Sequence, residues 1–427
     1  MWSAVDVETW VSRRTSRLDA VHGPVQEIIE KVRSGGDAAL IELSRKFDKV
    51  NLDTIAVDGD AREAAYEQVD ARVTECLVEA EVRISRFHEL QLPRGLWLSE
   101  LEPGITLGVK TTPLSRIGAY VPGGRAAYPS TALMCTVPAR IAGVPEICCC
   151  SPPPIQPLTL VALDIAGVHE IYQCGGAQAI AAMALGTETI DPVDKIVGPG
   201  NVYVTAAKMM LREYAEIDFP AGPSEIAVIA DEGAVPAYVA ADILAQAEHD
   251  PHAACLLIST SAALAGRVGA EIKKQAEHAP RKEIIAQALK NSGYIVAGDL
   301  AEAVAISNAV APEHLSIQVT DPLPVLGGIR NAGAIFVGPY TPVACGDYAS
   351  GTNHVLPTAG YARQYSGLDV HHFCKTSSVQ ILTREGLDSI GDIIETLATA
   401  EGLAAHAQSV RVRRQEKKSG RKNNPGC

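Results

Sequence analysis

Four short polar segments in the second half of the chain hold the side chains best suited to chemistry. They are Gln246-Ala247-Glu248-His249, Pro312-Glu313-His314, Gly346-Asp347-Tyr348-Ala349-Ser350-Gly351-Thr352-Asn353-His354 and Glu401-Gly402-Leu403-Ala404-Ala405-His406. Gln, Asp and His side chains from these segments could surround one metal ion. A further Glu and His would remain for proton transfer. Gln246 and His249 are spaced i, i+3, so on a helix they share a face. Taken alone, a helical His is more often structural than a ligand. Asp347 sits among Gly346, Ser350 and Gly351, where the plain reading is a turn. His406 follows an amphipathic stretch and could be its last polar residue. Glu313 and His314 are adjacent, so in regular structure their side chains would diverge. With Pro312 before them, a turn ahead of a strand at 315–319 is the expected setting.

The elements that must carry these groups are legible from periodicity. Residues 25–48 and 60–90 read as helices, with Val25, Ile28, Ile29 and Val32 at three- and four-residue spacing. From about residue 105 short apolar runs alternate with helical stretches. Strands are expected at 147–150, 170–172, 226–229, 254–258, 294–296, 315–319 and 334–337. Helices are expected at 177–185, 202–214, 235–249, 262–290 and 301–310. This alternation predicts an α/β fold with parallel sheets, and there are enough strands for two. In such sheets ligands bind beyond the carboxyl ends of strands. Ser151, Gly175-Gly176 and the run from Gly338 are expected there. From Arg411 the sequence turns basic and polar, as a solvated, disordered tail would.

Bulk properties narrow the function classes. The chain has 427 residues, too many for one ordinary core. Lys plus Arg number 37 against 50 Asp plus Glu, a net charge of -13. That disfavours nucleic acid or an anionic membrane as the main partner. No apolar run approaches the roughly 20 residues of a membrane helix. The first 18 residues lack the apolar core of a secretory signal. Ten cysteines are present, and no CxxC. Cys148, Cys149 and Cys150 are consecutive on an expected strand, where neighbours face opposite ways, so they cannot converge on one metal. Reduced cysteines in a cytoplasmic protein are the expectation.

The usual nucleotide fingerprint is missing. Gly198-Pro199-Gly200-Asn201-Val202-Tyr203 has two glycines of GxGxxG, but Tyr203 stands where the third belongs. Glycines 123, 124, 198 and 200 would still let a backbone approach a ligand closely. The adjacent pair His371-His372 does not read as a metal site, because neighbouring side chains diverge.

Taken together, the polar segments and the runs Gly118–Val144, Gly175–Ala182, Val193–Thr205 and Pro220–Glu225 resemble the histidinol dehydrogenase family over residues 105–410. The resemblance implies oxidation of L-histidinol to L-histidine through L-histidinal, with two NAD reduced, as the last steps of histidine biosynthesis. It implies NAD contacts at Tyr120, Gln178 and Asn201. It implies one Zn²⁺ per subunit held by Gln246, His249, Asp347 and His406, and substrate contacts at Ser224, His314 and Glu401 besides those ligands. Zinc has no redox chemistry, so it would position substrate while NAD takes hydride. His314 would take the alcohol proton, since an ordinary imidazole titrates at about 6.5, and Glu313 would activate water. His354, near the metal loop, also matches a substrate-contact position of that family. The fold implied is a pair of incomplete Rossmann-like parallel-sheet domains with a helical N-terminal region and a C-terminal arm. The divisions would be 1–20 as an N-terminal segment, 21–119 with 226–368 as one discontinuous domain, 120–225 as the nucleotide side and 369–427 as the arm. A homodimer with shared active sites follows from that family. One alternative is a relative that oxidises another small amino or sulfonated alcohol. A catalytically silent nucleotide- or metal-binding protein is the other.

Overall fold

The computed structural model describes residues 2–12, 18–123 and 127–415. Gly124 and the basic residues from 416 onward lie outside the described residues. Two compact units divide the chain: Met1–Leu92 with Leu114–Phe373, and Pro93–Pro113 with Cys374–Cys427.

In the smaller unit, strands β1 (Leu96–Glu102) and β2 (Ile105–Pro113) form an antiparallel hairpin. The larger unit carries two sheets. The first contains β3 (Arg116–Tyr120), β4 (Glu146–Ser151), β5 (Glu170–Gln173), β6 (Lys195–Val197) and β7 (Glu216–Ile217). The second contains β8 (Glu225–Ala230), β9 (Ala254–Ser259), β10 (Gly293–Val296), β11 (His314–Gln318) and β12 (Ala334–Val337). The smaller unit adds β13 (Cys374–Leu382), paired antiparallel to β2, and the helices Arg384–Ala400 and Ala404–Gln415.

Both five-stranded sheets are parallel, in the orders β5-β4-β3-β6-β7 and β10-β9-β8-β11-β12. Each winds outward from its first strand, then reverses to the other side of it. That is the Rossmann order with its last strand missing, and it places a topological switch point between β3 and β6 and another between β8 and β11. The two incomplete Rossmann-like sheets expected from the sequence are therefore present.

The strands are apolar on both faces because helices cover both. In β4, Cys148 and Cys150 point into one core cluster and Cys149 into the other, all three fully buried. As expected, they do not converge. Several helices differ from the periodic reading. The 60–90 stretch breaks into Gly59–Tyr66 and Ala71–Glu89, where the Asp70 carboxylate accepts from Arg72 N at 2.8 Å and starts a new helix. The 262–290 stretch breaks into Ala262–Ala276 and Lys282–Ala288, because Pro280 cannot continue a helix. Of the basic stretch from Arg411, residues 411–415 complete a helix, with Arg411 and Arg414 paired to Glu395.

Asp242 is a buried carboxylate in the helix Pro236–Ala247. It is 5% exposed and accepts from Ser316 Oγ at 3.3 Å. Burial pushes its carboxyl up to about 6, against the pull of hydrogen bonds from the Val343 backbone and Ser316. The folded state thus holds this proton more tightly than the unfolded chain, whose carboxyl titrates near 3.9. The stabilisation is complete below about pH 4 and is lost as pH rises through about 6. Asp242→Asn should therefore stabilise the protein by about 3 kcal/mol at pH 8 and give no such gain at pH 4. Urea unfolding at the two pH values checks this; equal gains at both would contradict it.

Candidate active site

The link 218–224 joins the carboxyl end of β7 to the amino end of β8. It brings the carboxyl end of the first sheet to the amino end of the second. A small cavity of about 60 Å³ lies there, with Gly198, Pro199, Gly200, Ser224, Glu313 and His354 in its lining. Its size and polar walls suit water.

Glu313 and His314 do not diverge, contrary to the expectation from adjacency. Glu313 precedes β11 and His314 is its first residue, so the two do not share regular strand geometry. Ala311, just upstream, has φ +47°, which turns the chain sharply before the pair. Glu313 Oε2 and His314 Nδ1 are 3.5 Å apart, both residues 5% exposed. One neighbouring residue holds both. Glu225 N donates to Glu313 Oε2 at 2.8 Å, and His314 Nδ1 donates to Glu225 O at 3.2 Å. With the proton on Nδ1, the neutral ring presents Nε2 as an acceptor. That atom is buried without a hydrogen-bond partner.

Burial alone would lower the His314 pKa, but the Glu313 carboxylate, its hydrogen bond and Asp347 outweigh it and raise the value to about 9. The ordinary imidazole value assumed from the sequence is therefore corrected upward. For His354 burial prevails and holds the ring below its usual value, despite Asp347 and Glu313. Its Nδ1 donates to Asp347 O at 3.0 Å, and its Nε2 lies 3.3 Å from Thr131 Oγ1.

The remaining expected residues fall as follows. Gln246 is buried near the end of the helix Pro236–Ala247. His249 is not on that helix. It lies exposed in the turn beyond it, with its backbone N donating to Gln246 O at 3.3 Å. Asp347 lies in a five-residue helix, Ala344–Tyr348, rather than a turn, half-buried and near enough to His314 to act on its charge. Tyr348 feels both Asp347 and Glu248, so the Asp347 helix and the Gln246–His249 turn are neighbours. Glu401 caps the helix Arg384–Ala400, and His406 lies in the first turn of the next helix, not at the end of one. Both are exposed and belong to the smaller unit. Among the described residues no group of three or more His, Cys, Asp or Glu side chains could hold a metal ion. His372 is paired to Asp369 at 2.8 Å, as a structural turn.

On the nucleotide side, Tyr120 ends β3 at the switch point and is buried, which pushes its phenol pKa up; its hydroxyl accepts from Gly176 N at 3.0 Å. Gln178 is buried in the helix that begins at Gly176. Asn201 Oδ1 accepts from Tyr203 N and Val204 N as a helix cap, so what Asn201 offers a ligand is its amide NH₂. The carboxyl ends of the first sheet thus carry Ser151 and Gly175-Gly176, as expected. The Glu313–His314 pair instead lies at the amino end of the second sheet. Periodicity gave no hint of Glu225, whose backbone holds the pair, nor of the buried residues Lys208 and Asp218. The only sequence trace of the last two is a charge set inside an apolar run.

The histidinol dehydrogenase family model matches residues 11–414. The histidinol dehydrogenase of Methanosarcina barkeri (strain Fusaro / DSM 804) is 51% identical over 404 residues, covering 94% of this chain and 93% of that protein. That of Methanothermobacter thermautotrophicus is 51% identical over 408 residues, covering 94% and 96%. The crystal structure of histidinol dehydrogenase from Elizabethkingia anophelis superposes with a TM-score of 0.94 at 38% identity, covering 98% of each chain. The chain belongs to the histidinol dehydrogenase family, oxidoreductases of histidine biosynthesis.

Proposed function

We propose that this chain oxidises L-histidinol to L-histidine through L-histidinal, reducing two NAD, with one zinc ion per subunit. The observation that carries the reading is the buried Glu313–His314 pair, held by the Glu225 backbone where the loop Gly198–Gly200 meets Ser224 and His354. The donor set fits zinc: oxygen from Gln246 and Asp347, nitrogen from His249 and from His406 of the partner subunit. Bound zinc would anchor the substrate, and bound NAD would accept hydride.

The chain's own residues supply the rest. His314 Nε2 takes the proton of the carbinol hydroxyl as hydride leaves the carbon, which gives the aldehyde. Glu313 takes a proton from water as the water oxygen adds to the aldehyde carbon, and protonated His314 returns its proton to the carbonyl oxygen, which gives the gem-diol and leaves His314 a free base. His314 then takes one hydroxyl proton of the gem-diol as the second hydride leaves, and the carboxylic acid that results gives its remaining proton to solvent. A base must be unprotonated to act, so the alcohol step should quicken as pH rises towards about 9. Ser224 and Glu401 hydrogen-bond the substrate. Tyr120, Gln178 and Asn201 bind NAD at the β3/β6 switch point.

On this reading the first sheet, β3–β7, is the nucleotide side, the second sheet, β8–β12, is the core of the other domain, and 369–427 is an arm that reaches a second subunit. An apolar cavity of about 560 Å³ beside the Asp347 helix, with Leu77, Leu133 and Tyr348 in its walls, is the kind of surface a partner covers. Among the described residues no helix is long and apolar enough to cross a membrane. With the described cysteines as free thiols, the reading adopted is a cytoplasmic enzyme. A substrate screen with NAD tests the assignment. Turnover of L-histidinol, with little from other amino or sulfonated alcohols, is expected; preference for one of those would overturn it.

A further inference from the structure

A buried ion pair lies directly beneath the loop that carries Asn201. Lys208 and Asp218 are each 4% exposed. The ammonium of Lys208 contacts the Asp218 carboxylate and donates to Gly198 O at 3.0 Å. Asp218 Oδ2 accepts from Gly198 N at 2.8 Å, and its Oδ1 accepts from Phe219 N at 2.7 Å. Both backbone polar groups of one glycine are thus held by a single ion pair. Gly198 has φ +114°, and a Cβ there would stand 2.1 Å from Tyr120 O, so the loop is pressed against the end of β3. Thr205 Oγ1 donates to Ala221 O at 3.0 Å and ties the same helix to the link 218–224.

A buried ion pair is weak evidence for stability, since apolar residues of similar volume often serve as well. What this pair does that apolar residues could not is fix the orientation of the Gly198 peptide groups. Gly198, Pro199 and Gly200 line the same small cavity as Ser224 and Glu313.

We infer that Lys208 and Asp218 are positioning residues for the dinucleotide. They set the Gly198–Asn201 turn at the switch point so that its backbone and the Asn201 amide face the cofactor. The inference rests on the NAD reading above. It predicts a loss confined to the cofactor: loosening this turn weakens NAD without disturbing the Glu313–His314 pair, which the Glu225 backbone holds separately.

The test compares wild type with Lys208→Met, Lys208→Arg and the double variant Lys208→Met/Asp218→Asn, which leaves no unpaired buried charge if the single variant fails to fold. Circular dichroism and thermal unfolding establish that each is folded. In Lys208→Met or the double variant the KM for NAD should rise about tenfold or more, with kcat and the KM for histidinol within about threefold of wild type. Lys208→Arg should recover NAD binding to within about threefold, because it restores the charge and a donor. A folded variant with unchanged KM for NAD, or with equal rises for both substrates, would overturn the inference, since a purely structural role predicts one of those. Wild type that neither binds nor reduces NAD would overturn the cofactor reading itself, a result read before any variant is compared.

Discussion

Glu313→Gln is expected to strand the reaction at the aldehyde. Oxidation of L-histidinal should fall by roughly 10²–10⁴-fold, the usual weight of a general base, while oxidation of the alcohol falls by about tenfold or less. The substitution keeps the shape of the side chain, and the amide oxygen can still accept from Glu225 N, so the fold should survive. What disappears is the carboxylate that faces the small cavity, the group able to take a proton from water. A second consequence follows from the electrostatics. After opposing burial, the Glu313 charge is the main cause raising the His314 pKa, so its loss should move the rise of the alcohol step to lower pH. Single-turnover oxidation of histidinol and histidinal, each across a pH series, checks both points. Equal losses in the two half-reactions would remove Glu313 from the hydration step.

The second large effect concerns sharing between subunits. His249→Ala and His406→Ala homodimers should each lose most activity and zinc, at least about a hundredfold, since even outer-shell partners of a metal site are worth 10–100-fold. Mixed dimers should recover. If His406 serves the neighbouring subunit, each mixed dimer holds one doubly damaged site and one intact site. Random mixing in equal amounts would then restore about a quarter of wild-type activity, from half the dimers with half their sites. The motive is that His249 and Asp347 belong to the larger unit and His406 to the smaller, on the arm beyond the last α/β element. Purified heterodimers without recovered activity or zinc would mean that each chain completes its own site.

Much of this architecture was legible because two signals are strong. Apolar runs such as Ile226–Ile229 and Ala254–Ile258 alternate with helical stretches, which imposes parallel pairing, and both sheets followed. The antiparallel sheet β1-β2-β13 escaped notice. Every residue of β1 is exposed and most of β13 is too, so neither shows the apolar runs that mark a buried strand. The site was legible as a set of residue types but not as a geometry. Adjacency argued that Glu313 and His314 diverge, and only the turn at Ala311 with the two-sided hold of Glu225 brings them together. Helical spacing placed His249 on the face of Gln246, yet the helix ends at Ala247. The rule that ligands bind beyond carboxyl strand ends points to Ser151 and Gly175-Gly176 of the first sheet. It misses the Glu313–His314 pair at the amino end of the second, which reaches the site because the link 218–224 sets the two ends together.

A four-electron oxidation completed on one protein fixes the number of NAD reduced per substrate. The most direct measurement incubates the purified protein with a limiting amount of L-histidinol and excess NAD, and follows NADH absorbance to completion. Parallel samples are treated with chelator and then given zinc. Two NADH are expected for each histidinol, with loss of the signal on chelation and its return with zinc. One NADH per histidinol with histidinal accumulating, or no NADH from a folded, zinc-loaded protein, would contradict it.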